Sequence, residues 1–334
     1  MSLKGPQSVR HARIIGTGSY LPERVVPNSE LEPLLNTTDT WISEKIGIKE
    51  RRYATPNQGA SDLALPATQA ALTRAGLLPT DLDAIIFATS TSEYAAPGSG
   101  VLLQNKLGCR QIPAFDVRNT SPGFLFSLEL ASGLLSTQRY ENILVVAAEC
   151  HSRILDFSEK GRMMSVIFGD GAGAVILQAT QEKTGLIDLV LHSDGAHAQK
   201  LWYPGVRSLQ AAAEPVSDYL FPQMDGRFVF ENAVSDMSSA AEQLLTRNNL
   251  KLTDIDLVLS HQANLRIINA IQERLQLSDE KVPHNIERVG NTSSASIPIL
   301  YDELVQSGRI KPGLTLLAMS FGSGFSWGAA LIKT

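Results

Sequence analysis

Apolar residues along this chain fall in short runs, separated by longer stretches with helical spacing. The runs read as strands at 12–16 (ARIIG), 83–89 (DAIIFAT), 112–117 (IPAFDV), 142–149 (NILVVAAE) and 173–179 (GAVILQA), then at 185–192, 255–260, 314–320 and 327–333. Apolar positions three and four apart predict helices over 61–76, 98–107, 122–138, 228–248, 263–277 and 294–307. Near-continuous apolar strands alternating with helices predict an α/β fold whose sheets are covered on both faces. The stretch 194–224 follows neither period and is rich in Ala, Gly, Pro and Tyr. Loops of that length are commonly functional.

The pattern repeats. ATQAALTRAGLLPTDLDAII (67–86) and AAEQLLTRNNLKLTDIDLVL (240–259) align without gaps, Thr73-Arg74 on Thr246-Arg247 and Asp81 and Asp83 on Asp254 and Asp256. Each copy reads as helix, turn, strand. FGDGAGAVIL (168–177) is echoed by FGSGFSWGAALI (321–332), with glycines ahead of an apolar strand in both. The chain therefore divides into two similar halves, about 1–180 and 185–334, joined by TQEKTG and expected to pack with a pseudo-twofold relation.

Composition narrows the partners. The 334 residues are 43% hydrophobic and 19% charged, ordinary for a globular chain with room for a large core. A formal net charge of −5 gives no reason to expect nucleic acid or an anionic membrane as the main partner. The two cysteines, Cys109 and Cys150, make neither a disulfide framework nor a metal spacing, and Cys150 at the end of an apolar run reads as a buried structural thiol. MSLKGPQSVRHAR is not followed by an apolar stretch of signal length, and no run approaches transmembrane length. The expectation is a cytoplasmic, soluble protein.

Three segments carry candidate chemistry. In AFDVRNTSPGFLFSLELASG (114–133) a strand runs into a helix, Ser121 stands at the turn, and Pro122 suits a first helical position. A short nucleophilic side chain there is how several enzyme families aim a reactive atom. A plain N-cap is the simpler role for the same serine. His261 follows the strand of the second repeat copy in SHQANLRII (260–268), and Asn291 sits in a Gly-Asn turn in VGNTSSASIP (289–298). If the halves fold alike, all three lie at strand or loop ends that converge on one cleft. GDGAG (169–173) lacks the spacing of a P-loop or a dinucleotide fingerprint and reads as a tight structural turn.

Taken together, IIGTGSYLPE (14–23), TWISEKIGIKER (40–51), AFDVRN (114–119), IFGDGAGA (167–174), HQANLRI (261–267), GNTSSASIP (290–298), GRIKPG (308–313) and FGSGFSWGAAL (321–331) resemble the β-ketoacyl-ACP synthase III family, in order and over essentially the whole chain. The resemblance implies a thiolase-like fold, two duplicated five-stranded α/β halves in a layered αβαβα arrangement, assembled as a homodimer. It also implies an acyltransferase that performs decarboxylative Claisen condensation in fatty acid or related polyketide and secondary-metabolite synthesis. In that reaction an acyl group from acyl-CoA is loaded on a cysteine at the start of the central helix. Malonyl-ACP then loses carbon dioxide, and its carbanion attacks the acyl group. The family needs no metal or redox cofactor.

Position by position, His261 and Asn291 match the family's histidine and asparagine, two donors for the enolate oxygen formed as carbon dioxide leaves. His261 is also implied in nucleophile activation. The backbone amides of Ser121 and Ser323 match the oxyanion hole, with Gly322 and Gly324 shaping the FGSGF loop. Trp41 and Arg162 match the pair that sandwiches the adenine of CoA, and Lys45 falls where an arginine is frequent. Asn264 matches a pantetheine contact, and Arg266 an arginine that docks the acidic acyl carrier protein. Ala96 matches an acyl-pocket residue contributed across the dimer, where some members carry phenylalanine. Alanine there implies medium or long acyl chains, provided that Tyr94 does not fill the space.

The sequence departs from the family at the nucleophile, because Ser121 stands where the cysteine is expected. A thiol ionises near pH 8.5, lower still at a helix N-terminus, whereas a serine hydroxyl needs a positioned base. Three readings stay open. Ser121 is a nucleophile activated by His261, with a shifted reaction such as acyl transfer without condensation. Or it is an introduced replacement that traps a complex. Or loading is absent, which leaves a decarboxylase or a non-catalytic partner subunit.

Overall fold

The computed structural model describes residues 10–203 and 221–334, so most of the irregular 194–224 stretch lies outside the described residues. The strands are β1 (His11–Tyr20), β2 (Arg24–Pro27), β3 (Glu50–Tyr53), β4 (Ala84–Ala88), β5 (Ala114–Val117), β6 (Asn142–Glu149), β7 (Gly171–Thr180), β8 (Gly185–Ser193), β9 (Leu201–Trp202), β10 (Gln223–Met224), β11 (Leu257–Ser260), β12 (Thr315–Gly322) and β13 (Ser326–Lys333). The helices are α1 (Asn28–Leu35), α2 (Asp39–Lys45), α3 (Ala60–Ala75), α4 (Ser99–Leu107), α5 (Gly123–Ser136), α6 (Arg162–Ser165), α7 (Gly226–Arg247), α8 (Leu265–Arg274), α9 (Ile286–Val289) and α10 (Ser296–Gln306).

Nine strands form one mixed ladder in the order β11-β12-β13-β8-β1-β7-β6-β4-β5. The order runs symmetrically outward from its middle. On one side, β1 leads through β7 and β6 to β4, and on the other β8 leads through β13 and β12 to β11. The two sides are joined at β1 and β8 by a single residue pair, Ala12 with Leu186.

Alternation along the strands sorts their side chains into three cores. Ile85, Phe87, Leu144, Val146 and Ile176 face α3 and α4 in one outer core. Val258, Leu317, Met319, Ala329 and Leu331 face α7 and α8 in the other. The intervening residues, Ile86, Val145, Val175 and Leu177 from one side and Leu257, Leu259, Leu316 and Ile332 from the other, close on α5 and α10 in the middle. Period-2 patterning with both faces apolar thus yields helix, sheet, helices, sheet, helix. This is the layered α/β arrangement that the resemblance implies. Close approach of α10 requires small residues on β7, since a Cβ at Gly173 would come within 2.7 Å of the Ile299 backbone nitrogen.

Two features differ from expectation. The second side has four strands in the ladder among the described residues, not five. Beyond β11, Pro283 offers no backbone donor, and the Asn285 amide donates to the Gln262 side chain (3.1 Å) instead of to a strand. The segment 24–53 also holds a β2–β3 ribbon and two helices that were not predicted. Its helices are too short for a clear period, and buried Arg51 ties the segment down by donating to Asn28 Oδ1 (2.7 Å) and Val166 O (2.8 Å). The Leu265 amide donates to Ile46 O (2.9 Å), which fixes the end of α2 against the start of α8.

Leu128 is fully buried on α5, whereas Leu130 is 44% exposed on the same helix. Leu128→Ala is expected to lower unfolding free energy by about 2–5 kcal/mol. Leu130→Ala is expected to change it by less than about 0.5 kcal/mol. Urea denaturation of both variants checks the central layer.

Candidate active site

One cavity of about 680 Å³ opens between the layers, and Ser121, His261, Asn291, Ser323, Trp41, Lys45, Asn264 and Arg266 all line it. Each polar residue of the centre stands at the end of a buried element. Ser121 lies in the turn between β5 and α5, His261 directly follows β11, and Asn291 follows α9. Sheet ends are where ladder pairing stops and polar groups become free to meet a ligand.

At the head of α5 the residue that caps the helix is Pro122, with no side-chain cap bond, and the first helical residue is Gly123. Ser121 is therefore neither the N-cap nor preceded by one, and Pro122 sits one position before the first turn. The Ser121 hydroxyl instead meets the Ser293 hydroxyl at 3.2 Å. Thr120 and Ser293, on the two sides of this contact, both adopt positive φ (47° and 49°). The turn after β12 presses on the same point, since a Cβ on Gly322 would fall 2.6 Å from Thr120 Oγ1 and 3.1 Å from the Ser121 nitrogen. That contact brings the FGSGF loop, with Ser323, beside the Ser121 amide.

His261 is 2% exposed, and its Nδ1 lies 2.6 Å from Ser296 Oγ, which also accepts from the Gln262 amide (3.3 Å). The Ser296 proton finds its acceptor at Nδ1, an assignment that leaves the hydrogen on Nε2. In that tautomer the ring is a donor. Asn291 is oriented in the same way: its Oδ1 accepts from the Ser293 amide (2.8 Å), which leaves the amide NH₂ to donate. Burial, with some help from nearby His151, pushes the His261 pKa down to about 3. A neutral, donating imidazole beside a donating carboxamide suits an oxygen that gains negative charge.

The rim is basic. The Arg162 guanidinium lies over the Trp41 ring (5.4 Å) and donates to Asn36 O (3.0 Å); Arg162 itself does not line the cavity. Exposed Arg266 lies over Phe230 (5.6 Å), and exposed Lys45 stands on the same rim. Asn264 caps α8 by accepting from the Arg266 amide (2.9 Å), so its side-chain oxygen is already engaged. Ala96 is exposed on the loop after β4 and does not reach this cavity within the chain, and Tyr94 is 58% exposed. Cys150 is buried and neither cysteine lines the cavity. Asp170 of the GDGAG turn accepts from the Ala54 amide (2.8 Å) and the Ser152 amide (2.9 Å), a structural role. Among the described residues, no group of His, Cys, Asp and Glu is arranged to hold a metal ion.

Not foreseen from the sequence were Ser293 and Ser296, which contact Ser121 and His261. Nor were His151, Phe168 and Tyr203, which line the cavity. For His151 a signal existed: the run HSR follows the end of the apolar β6 after Cys150, much as His261 follows β11.

Comparison with known proteins agrees with this geometry. Residues 115–195 match the family model for 3-oxoacyl-[acyl-carrier-protein] synthase III, and residues 245–334 match the model for its C-terminal part. The β-ketoacyl-[acyl-carrier-protein] synthase III of Methylococcus capsulatus is 41% identical over 324 residues, covering 97% of this chain and 99% of the relative. The crystal structures of the synthases III from Thermus thermophilus and Aquifex aeolicus superpose with TM-scores of 0.91 and 0.90 at 38% and 36% identity. They cover 96% and 97% of this chain, and 99% and 100% of their own. The fold is that of a thiolase-like condensing enzyme, an acyltransferase. The chain belongs to the β-ketoacyl-ACP synthase III family.

The depressed histidine has a cost in acid. An unfolded chain protonates a histidine near pH 6.5, well above the folded value for His261, so the unfolded state binds more protons as pH falls and stability drops. The urea midpoint is expected to decline from about pH 7 to about pH 5. The decline should be smaller in His261→Asn, which a pH series of urea titrations checks.

Proposed function

We propose that this 3-oxoacyl-ACP synthase III-type enzyme takes an acyl-CoA as starter and a malonyl unit on acyl carrier protein as extender. The observation that carries the reading is the convergence of two oriented donors, His261 Nε2–H and the Asn291 amide, on the cavity that also holds Ser121. When the malonyl carboxylate leaves as carbon dioxide, its bonding electrons pass to the thioester oxygen, where both donors stabilise the enolate. The enolate carbon then attacks the loaded acyl group. The basic rim of Lys45, Arg162 and Arg266 supports anionic partners, the CoA phosphates and an acidic carrier protein, on a chain of net charge −5.

Ser121 is the weak point of loading. Its hydroxyl bonds to Ser293 and not to His261, and His261 in its donor tautomer is no base for it. Decarboxylation needs neither the hydroxyl nor a base, so the geometry favours that half-reaction over acyl loading. The same reading takes the chain as two duplicated halves, 1–180 and 185–334, supported by the symmetric strand order. It places the protein in the cytoplasm as a homodimer, in which Ala96 of one subunit would face the acyl pocket of the other, and calls on no metal or redox cofactor. No helix among the described residues is long and apolar enough to cross a membrane.

Ser121→Cys is expected to raise ketoacyl formation from acyl-CoA and malonyl-ACP, read as product by chromatography. No gain in a folded variant would overturn the view that the nucleophile alone limits condensation. Carbon dioxide release from malonyl-ACP is expected to persist in Ser121→Ala and to fall about 100-fold in His261→Ala and in Asn291→Ala. Unchanged release in both of the latter would overturn the roles given to the donors.

A further inference from the structure

The cavity contains a second histidine that the chemistry above does not use. His151 follows β6, is 2% exposed, and lines the cavity with Ser121 and His261. Its ring lies flat on Phe168, with centroids 4.4 Å apart and planes 8° from parallel. Its Nδ1 has no hydrogen-bond partner, and the nearest charged atom is Glu149 Oε2 at 3.9 Å. Glu149 is itself fully buried and fixed by hydroxyls, with Thr91 and Ser294 each donating at 2.7 Å and Ser90 at 3.0 Å.

This surround fixes what the ring can offer. A carboxylate facing Nδ1 favours the proton on that nitrogen, which leaves Nε2, on the opposite edge, with its lone pair free. Burial lowers the His151 pKa, against the attraction of Glu149 and Asp170, so the ring is neutral near pH 7. Neighbouring His261 is neutral too, its pKa pushed down to about 3. The cavity wall also carries apolar side chains, including Met164, Ile167 and Leu201, alongside Tyr203, whose hydroxyl donates to Ser90 O (3.5 Å). A plain hydrocarbon chain against His151 would strip water from a ring nitrogen and return nothing. A hydroxyl on the chain would donate to it.

We propose that His151 is a specificity-determining residue that accepts a hydrogen bond from a hydroxyl on the acyl chain, so that the cavity selects hydroxyacyl over unsubstituted acyl thioesters. This rests on the acyl-CoA reading given above. A buried site built to bond a hydroxyl discriminates against the analogue that lacks it, because its own polar atom is then left unpaired.

The test is calorimetric binding of butyryl-CoA and of 2-, 3- and 4-hydroxybutyryl-CoA to the full chain carrying Ser121→Ala, which prevents turnover. At least one hydroxy isomer is expected to bind about tenfold more tightly than butyryl-CoA. His151→Leu should abolish that preference and strengthen butyryl-CoA binding. His151→Gln, which keeps an acceptor and serves if the leucine variant does not fold, should retain part of the preference. Equal binding of all four esters, or a preference that survives in His151→Leu, would overturn the inference while leaving the acyl-CoA reading intact. If none of the four binds, the acyl-CoA reading falls and the inference falls with it.

Discussion

Burial of α5 between two sheets is the constraint on which the rest of this protein depends. Phe124, Leu125, Leu128, Ala131 and Leu135 are covered by strands from both sides of the ladder and by α10. A helix enclosed in this way cannot shift without opening the central core, whose interior packs at the density of an organic crystal. Its first turn is therefore a fixed point. The loops that follow β11, α9 and β12 are anchored by the same core, and they meet at that point because the two sides of the ladder close over the helix symmetrically.

Hydroxyls do the local positioning. Ser296 holds the His261 ring, Ser293 meets Ser121 and donates its amide to Asn291, and Ser294 helps to hold Glu149. These contacts come from one short segment, 291–296, which enters the site from the second half of the chain. A neutral hydrogen bond is worth only about 1 kcal/mol net, but its loss inside a dry core leaves a buried polar atom unpaired. Small hydroxyl residues can satisfy such atoms without adding charge. The outcome is a centre with two neutral imidazoles and a carboxamide in a cavity also lined by apolar side chains and hydroxyls, with Lys45 and Arg266 at its rim. In the proposed reaction such an interior favours loss of charge as carbon dioxide over retention of a carboxylate.

In the proposed reaction, a serine rather than a cysteine at position 121 changes how demanding each step is. A thiolate at a helix start needs little help, but an alcohol needs a base within hydrogen-bond reach. The oriented imidazole of His261 has its acceptor nitrogen occupied by Ser296. In the proposed reaction, the same bond that makes His261 a donor to an enolate makes it a poor base for an alcohol, so one tautomer cannot serve both half-reactions equally.

The sequence by itself determined the alternation of strands and helices, the near-identical TR and DxD repeat, and the three segments that carry Ser121, His261 and Asn291. Those features depend on local periodicity and on short motifs, which neighbours in the chain define. It could not show the β2–β3 ribbon and its two short helices, because buried Arg51 and Asn28 hold them through partners far away in the chain. Nor could it show that, among the described residues, the second side of the ladder has four strands, which depends on where the Asn285 amide finds its acceptor. Only the tertiary structure decided that Ser121 faces Ser293, that Ala96 lies away from the cavity of its own chain, and that His151 enters it. Each is a contact between segments remote in sequence, and a one-dimensional pattern carries no information about which of many equally polar side chains the packing of the core brings face to face.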